Sequence, residues 1–230
     1  RVLERGPHGY EDPRFFAHAG SLWLSIIDFQ FPRPCRESLA RLDESFNIVE
    51  RKEPIYGKNR ATQPEQVGME KNWTWFSHDG TLHLIYQMHP SHRVIEMMDG
   101  ATPGSVHESP TVSWPWGELR GGTSPVREGG EYFAFFHSSL GWRNRQRRYY
   151  MGAYAFEAQP PFKITRLSKA PLLAGTEREP RRYSSPPVVF PCGALLEEGH
   201  WTISFGVNDT ECGMLKIPHE EILGTMEMRI

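Results

Sequence analysis

The sequence predicts an all-β protein of the β-propeller class, in which several small antiparallel sheets follow one another along the chain. A short apolar strand, a tight turn and a second strand with polar residues at its end recur four times. The turn glycines of these copies lie 50 to 69 residues apart, a spacing that suits repeats of several strands each. The 21 glycines and 19 prolines add the many turns that short strands need.

The four copies are at residues 15–29, 75–87, 125–137 and 188–206. Aromatic and β-branched residues fill their strands, as is typical of a half-buried pleated surface. Asp79-Gly80 and Gly129-Gly130 are residue pairs that favour two-residue hairpin turns. Each copy therefore predicts one β-hairpin.

The segments between the copies are expected to supply the outer strands. Strands are predicted at residues 93–97, 149–156 and 162–167, short helices at residues 36–43 and 220–223, and surface loops at residues 32–34 and 101–110. No linker divides the sequence, so one domain is predicted over residues 1–230.

Charge and hydropathy exclude several classes of protein. A formal net charge of −2 argues against a general binder of nucleic acid or of anionic membranes. The basic residues at 143–148 are interpreted as a solvated hairpin loop. No apolar run approaches the ~20 residues that span a bilayer. Hydrophobic residues make up 38% of the chain, enough for a sizeable core.

The cysteines give no sign of a metal site or a disulfide scaffold. Cys35, Cys192 and Cys212 are odd in number and widely spaced. Cys192 is interpreted as a packed thiol. Together with the absence of a visible signal peptide, these cysteines favour a cytoplasmic location. The chain begins with Arg1 rather than Met, and the sequence leaves open whether it is a truncated piece.

Asp12 and Arg14 flank Pro13 directly before an apolar run. Because proline restricts the residue before it, Asp12 is expected to have an extended backbone at the rim of a strand. A carboxyl group beside an arginine there suits an acid or a clamp for sugar hydroxyls. The alternative is an Asp-Pro pair that only starts a turn.

Three further motifs precede or end the hairpin copies. Lys71-Asn72 combines a charge with a directed amide donor and suits an anion, or else is a solvated loop. Arg120 precedes Gly121-Gly122, where the backbone can approach a ligand, or else forms a tight turn. His137 lies at the end of an apolar strand, and it is either a contact for an anion or a packed core histidine.

Asn208-Asp209 follows the last copy, and its side chains either grip sugar hydroxyls or cap a turn. Tyr149 begins the strand after the basic cluster, where one of two tyrosines is expected to face a central channel.

Taken in this order, the segments resemble glycoside hydrolase family 130, which comprises β-mannoside phosphorylases and β-mannosidases, and the related β-1,2-mannosyltransferase/phosphorylases. The matching pieces are residues 9–14, 71–72, 121–126, 137, 152–153, 189–194 and 205–209. The resemblance implies a five-bladed β-propeller. Family members carry about one more blade before the Asp-Pro-Arg segment, so it also implies that the first blade is missing or incomplete in this chain.

The resemblance also implies roles for single residues. Asp12 matches the general acid, whose proton reaches the glycosidic oxygen through a sugar hydroxyl. Phosphate would contact Lys71, Asn72, Arg120, His137 and Tyr149, and the sugar would contact Arg14, Phe190 and Asp209. Phosphate would then displace the linked sugar with inversion and give mannose 1-phosphate. Inorganic phosphate is the co-substrate, and no other cofactor and no metal is expected.

Glu118 departs from the family pattern, since a phosphate-binding lysine is expected at its position. Either Arg120 replaces that lysine and the reaction is phosphorolysis or mannosyl transfer, or Glu118 activates water. In the second case Asp12 and Glu118 would form an inverting pair of carboxyl groups ~6.5–9.5 Å apart, and the protein would be a β-mannosidase.

Two non-enzymatic alternatives keep the fold. One is a carbohydrate-binding propeller that uses Trp73, Trp75, Trp114 and Trp116 as aromatic platforms. The other is a structural or protein-binding propeller. The expected partners of the enzyme are a β-mannoside oligosaccharide or glycan and phosphate, with no nucleic acid and no membrane. A homo-oligomer is compatible with the sequence, which leaves the oligomeric state open.

Overall fold

The computed structural model describes residues 10–28, 36–54, 71–141, 147–177 and 186–228. Two compact units divide the chain: the first comprises residues 1–86 and 94–106, and the second residues 87–93 and 107–230. The described residues form strands and one short helix, so the prediction of an all-β protein is confirmed. No helix among them is long and apolar enough to cross a membrane.

Four antiparallel sheets follow one another in sequence. Sheet 1 contains β1 (Tyr10–His18), β2 (Ser21–Asp28), β3 (Arg36–Leu42) and β4 (Ile48–Lys52). Sheet 2 contains β5 (Thr74–His78), β6 (Thr81–Gln87), β7 (Ser91–Met98) and β8 (Thr102–Pro110). In both sheets each strand pairs with the next one along the chain, which is the strand order of a propeller blade.

Sheet 3 contains β9 (Val126–Glu128), β10 (Glu131–Leu140), β11 (Arg148–Glu157) and β12 (Ile164–Ser168), with β13 (Leu173–Ala174) paired to β11. Sheet 4 contains β14 (Val189–Glu197), β15 (His200–Val207) and β16 (Glu211–Pro218). The helix α1 (His219–Thr225) then leads to β17 (Met226–Met228), which returns to sheet 3 and pairs with β12.

Each of the four predicted copies lies in a different sheet, so the repeat is confirmed. The five-blade count is not supported, because the described residues form four sheets of blade type. The fifth blade came from the family resemblance alone, and the sequence itself shows only four copies.

The hairpin turns follow the predicted chemistry. Gly20, Gly80 and Gly199 have φ values of +70°, +79° and +71°. The residue before each of them also has a positive φ, as a type I′ turn requires. A fourth turn of this kind, Asp99-Gly100, joins β7 to β8 and was not predicted.

Two predictions of secondary structure are wrong. Residues 36–42 form β3 rather than a helix, because residues 37–40 are all buried and the strand pairs with both β2 and β4. Residues 102–110 form β8 rather than a loop, since the outermost strand of a sheet tolerates Gly and Pro. The predicted loop at residues 32–34 lies outside the described residues, and so does most of the basic cluster at 143–148.

The other predictions of elements are confirmed. β7 and β11 contain the strands predicted at 93–97 and 149–156, and α1 contains residues 220–223. β12 begins at Ile164, so it confirms the strand predicted at 162–167 except for its first two residues. The first unit has a core of buried aromatic and aliphatic side chains that includes Trp23, Trp75 and Leu84. The second unit has its own core, which includes Phe135, Trp201 and Ile222.

Candidate functional site

Asp12 lies in a β-bulge at the start of β1. Glu11 pairs with Ile27 and Arg14 with Ser25, so β1 holds one more residue than β2 over this interval. The φ of Asp12 is +51°, in the left-handed region. The predicted strand rim is confirmed, but the extended backbone predicted for Asp12 is wrong, because the bulge overrides the preference set by Pro13.

Arg14 is buried beneath this bulge. Only 1% of the residue is exposed, and its Nη1 donates to the carbonyl oxygen of Asp12 at 3.1 Å. A direct contact between Arg14 and the substrate, as the resemblance implied, is not supported by this burial. The geometry instead gives Arg14 a part in holding the backbone of Asp12.

Glu37 is a residue of this region that the sequence did not single out. It lies on β3 and is 0% exposed. Its Oε1 accepts hydrogen bonds from Oγ of Ser25 at 2.6 Å and from Nε1 of Trp75 at 2.9 Å. Burial raises the pKa of Glu37 to about 7, although the Arg14 charge and these two hydrogen bonds act in the opposite direction. The signal available in the sequence was a glutamate two residues before the apolar pair Leu39-Ala40, in a segment that forms a strand.

Lys71 and Asn72 lie shortly before β5, which begins at Thr74, as predicted. Lys71 is exposed and Asn72 is half-buried, with a φ of +67°. The next residue, Trp73, is 2% exposed and packs in the core of the first unit. The buried Trp73 side chain anchors the segment that carries these two polar residues. Their contact with phosphate stays a prediction.

In the second unit, residues 120–123 lie against β10. Arg120 and His137 exchange two backbone hydrogen bonds of 2.9 and 3.1 Å, and Thr123 N donates to Phe135 O at 2.9 Å. A Cβ on Gly122 would lie 2.3 Å from the carbonyl oxygen of Phe135. The paired glycines therefore allow a close approach of backbone to β10.

His137 is the centre of a group of rings from three strands. It is 2% exposed, and its Nδ1 donates to the carbonyl oxygen of Gly121 at 2.9 Å. Its ring stacks with Tyr149 of β11 at 6.0 Å and lies 4.5 Å from the ring of Phe190 on β14. Three residues that are far apart in sequence and were predicted for the site are therefore adjacent.

Glu118 lies beside two basic side chains. Its Oε1 is 3.5 Å from Nε2 of His89, and its Oε2 is 3.9 Å from Nη2 of Arg120. The side chains of Glu118 and Arg120 are 59% and 41% exposed, so both reach solvent. His89 was not predicted, since it lies in the turn between two strands and carries no motif.

Asn208 and Asp209 form the turn after β15, with φ values of +53° and +56°. Asn208 is 1% exposed, and its Oδ1 accepts from the backbone N of Val188 at 3.0 Å. The Asn208 side chain is therefore engaged with the backbone of the residue before β14. Asp209 is exposed, and its contact with a sugar stays a prediction.

The proposed aromatic platforms are largely core residues. Trp73, Trp75 and Trp114 are 2%, 0% and 6% exposed, so these three rings cannot stack on a sugar. Trp116 is half-buried. Cys192 is also half-buried, and its Sγ donates to the carbonyl oxygen of Phe190 at 3.2 Å, as expected for a packed thiol.

The predicted site residues thus form two groups. Asp12, Arg14, Lys71 and Asn72 belong to the first unit. Glu118, Arg120, His137, Tyr149, Phe190 and Asp209 belong to the second, where the first five are linked by the contacts given above. Among the described residues, no group of three or more His, Cys, Asp and Glu side chains is arranged to hold a metal ion.

A cavity of about 720 Å³ lies elsewhere in the first unit, at the turn ends of its hairpins. His18 lines it, whereas Asp12 lies at the other end of β1. Among the charged groups that line it, Arg41 bonds Glu50 at 2.8 Å, and Nζ of Lys52 donates to the carbonyl oxygen of Asp99. The second of these contacts joins β4 to the turn between β7 and β8.

The sequence profile of a glycoside hydrolase family, described as beta-1,4-mannooligosaccharide phosphorylase, matches residues 5–228. This match covers nearly the whole chain. The chain belongs to glycoside hydrolase family 130. The resemblance seen in the sequence is therefore confirmed. No curated protein matches the chain.

Solved structures of mannoside and mannose phosphorylases share the fold at low identity. A β-1,2-mannobiose phosphorylase from Listeria innocua is 17% identical with a TM-score of 0.71, and the match covers 96% of this chain and 62% of that one. A mannose phosphorylase from Leishmania mexicana, in complex with phosphate, is 13% identical with a TM-score of 0.64, over 96% of this chain and 71% of that one.

A third structure comes from work showing that this family of mannoside phosphorylases contains glycoside hydrolases that target β-1,2-mannosidic linkages in Candida mannan. It is 14% identical with a TM-score of 0.73, over 95% of this chain and 67% of that one. The family 130 chain described here spans 62% of the length of the Listeria protein.

Proposed function

We propose that this family 130 chain carries the machinery of a β-mannoside phosphorylase. The observation that carries the proposal is the backbone pairing of Arg120, whose side chain is 41% exposed, with His137, whose ring stacks with that of Tyr149. Directed donors with positive charge are what a phosphate nucleophile needs. The phosphate ion bound to the Leishmania mexicana phosphorylase supports the same assignment.

In this reaction an oxygen of phosphate attacks the anomeric carbon of the mannosyl unit with inversion, and the bond to the glycosidic oxygen breaks. Asp12 supplies the proton that the departing oxygen needs, through a sugar hydroxyl. In the second unit, Arg120, His137 and Tyr149 orient the phosphate, and Phe190 and Asp209 contact the sugar. In the first unit, Lys71 and Asn72 are the residues that the family resemblance assigns to phosphate. The products are mannose 1-phosphate and the shortened mannoside, and phosphate is the only co-substrate.

Hydrolysis is the second candidate, and the position of Glu118 favours it. Its carboxylate is 59% exposed and lies 3.5 Å from the His89 imidazole, an arrangement that suits a base acting on water. With Asp12 as the acid, the product would be free mannose rather than a sugar phosphate. The hydrolases in this family, with the Candida mannan activity noted above, support this alternative.

The test is to incubate the full chain with β-1,2- and β-1,4-linked mannobiose, with and without inorganic phosphate, and to separate mannose from mannose 1-phosphate. We expect mannose 1-phosphate that forms only when phosphate is present. Free mannose at the same rate without phosphate would reject phosphorolysis. Glu118→Gln separates the candidates further, because it should stop hydrolysis and leave phosphorolysis.

Asp12→Asn is expected to lower kcat by roughly 10²- to 10⁴-fold, since the amide cannot deliver a proton. The unfolding free energy should change little, because Asp12 is only half-buried. Glu11→Gln is the matched control, as it removes an exposed carboxylate one residue away. Full activity of Asp12→Asn would remove Asp12 from the acid role.

A further inference from the structure

A buried carboxylate lies near the strand start that carries Asp12, and the function proposed above gives it no part. Glu37 is 0% exposed, and Oε1 takes both of its hydrogen bonds, from Ser25 and Trp75. Its Oε2 is equally buried and has no hydrogen-bond partner in the part of the chain that the structure describes. Such a group is costly to bury unless an opposite charge offsets it.

Arg14 supplies that opposite charge. It is itself 1% exposed and pairs across β1 and β2 with Ser25, whose Oγ donates to Glu37 at 2.6 Å. Its charge acts favourably on the ionised form of Glu37. The same guanidinium donates from Nη1 to the carbonyl oxygen of Asp12 at 3.1 Å. Arg14 therefore interacts both with the charge of Glu37 and with the backbone of Asp12, the residue proposed as the acid.

We propose that Glu37 is a positioning residue for Asp12, which acts through Arg14 to hold the bulge that presents the Asp12 carboxyl group. This proposal rests on the proposed function, because the position of Asp12 matters to turnover only if Asp12 is the acid. The bulge needs support, since a φ of +51° is unfavourable for a residue other than glycine.

The proposed positioning role depends on the negative charge of Glu37 and not on the shape of its side chain. A glutamine would fill the same space and still offer an oxygen to Ser25 and Trp75, but it would not attract Arg14. The charged groups that act on Glu37 are Arg14 and Asp12, both from β1. β2 and β5 contribute an uncharged hydroxyl and an uncharged indole.

The charge of Glu37 changes within the range in which the protein is assayed. Because burial raises its pKa to about 7, the ionised form is lost as the pH falls below neutrality. The attraction on Arg14 weakens in the same range. Turnover should therefore show an acidic limb near pH 7 that belongs to Glu37 and not to a group that touches the substrate.

The test compares Glu37→Gln with Glu50→Gln in the full chain. Glu50 is the matched control because it is a carboxylate of the same sheet that pairs with Arg41, far along the strands from Asp12. We expect Glu37→Gln to lower kcat roughly 10- to 100-fold with KM almost unchanged, and to abolish the acidic limb of the pH profile. Glu50→Gln should keep the wild-type kcat and profile.

A second readout does not depend on turnover. In a crystal structure of Glu37→Gln, the distance from Arg14 Nη1 to the Asp12 carbonyl oxygen should exceed the 3.1 Å of the wild type, in a chain that remains folded. If the wild type turns over no β-mannoside, the proposed function fails and this distance decides the positioning role alone. An unchanged distance together with a wild-type pH profile would overturn the proposal.

Discussion

His92 is a fully buried imidazole whose protonation opposes folding. It is 0% exposed, its Nδ1 donates to the carbonyl oxygen of Phe162 at 2.9 Å, and the rings of Tyr154 and Phe156 pack around it. Burial lowers its pKa to about 4, against a smaller opposing effect of the Phe162 hydrogen bond. The neutral form is therefore the one that the folded chain holds at neutral pH.

The sign of the pH dependence follows from this shift. Between about pH 6.5 and pH 4 the unfolded chain binds a proton at His92 and the folded chain does not, so acid favours unfolding. Across that window the stability lost is on the order of 3 kcal/mol. Above pH 6.5 His92 is neutral in both the folded and the unfolded chain, so the full unfolding free energy is retained there.

We expect His92→Gln to flatten the fall in unfolding free energy between pH 6.5 and pH 4, because glutamine keeps a donor for Phe162 and does not titrate. Urea denaturation at a series of pH values measures the slope. His200→Gln, at an exposed histidine, is the control and should keep the wild-type slope. Equal slopes for His92→Gln and the wild type would contradict this account.

At the scale of elements, the segment at residues 120–123 depends on its fit against β10. The backbone bridge between Arg120 and His137 requires Gly122 to pass close to Phe135 and to the side chain of Pro191, where a Cβ would lie 2.3 and 2.7 Å away. Contacts this short cannot be relieved without moving backbone. The segment therefore fixes Arg120 only as long as position 122 is glycine.

Gly122→Ala is expected to cost about 1–3 kcal/mol of unfolding free energy and to weaken the binding of inorganic phosphate, because it separates residues 120–123 from β10. Gly130→Ala in the same sheet is the control, since nothing lies within 4 Å of its Cβ position. Urea denaturation and calorimetric titration with phosphate give the two readouts. Indistinguishable results for the two variants would reject this role.

At the scale of the whole molecule, the end of the chain completes a sheet that was formed earlier. After sheet 4, α1 carries Ile222, which is 0% exposed, into the core that contains Phe135 and Trp201. β17 then pairs with β12, with Met228 opposite Arg166. Ile222 of α1 and Met226 at the start of β17 are thus part of the core of the second unit.

Ile222→Ala is therefore expected to lower the unfolding free energy by about 2–5 kcal/mol, the usual cost of a cavity in a well-packed core. Met228→Ala, at a residue that is 56% exposed, should change it by less than about 0.5 kcal/mol. Denaturant titrations of the two variants provide the comparison. A neutral Ile222→Ala would show that α1 does not stabilise the unit.

The sequence predicted the repeated hairpins well, and it predicted poorly those strands whose conformation depends on neighbouring strands. The four hairpins follow from turn chemistry that is local, such as Asp79-Gly80, and so they were predictable. β3 was not, because its strand conformation depends on pairing with strands on both sides. Among site residues, the adjacency of His137 and Tyr149 follows from the pairing of β10 with β11.

Burial was the hardest property to foresee. Arg14 and Trp75 have the residue types of a sugar site, yet both are enclosed, because neighbouring strands cover them. Glu37 was missed for the opposite reason, since nothing local distinguishes a structural glutamate from one that lies near a predicted acid. These errors concern which face of a strand is covered, a matter that the pairing of whole sheets decides.

The hydrogen bond between Trp75 and Glu37 gives the chain an internal reporter. The indole N–H that donates to this carboxylate senses directly whether the oxygen opposite it carries a charge. In a ¹⁵N-labelled sample the seven tryptophans offer seven such signals, and that of Trp75 should move as the solution is titrated through neutrality. The ionisation state of a hidden glutamate thereby becomes visible in a spectrum, without any substrate being added.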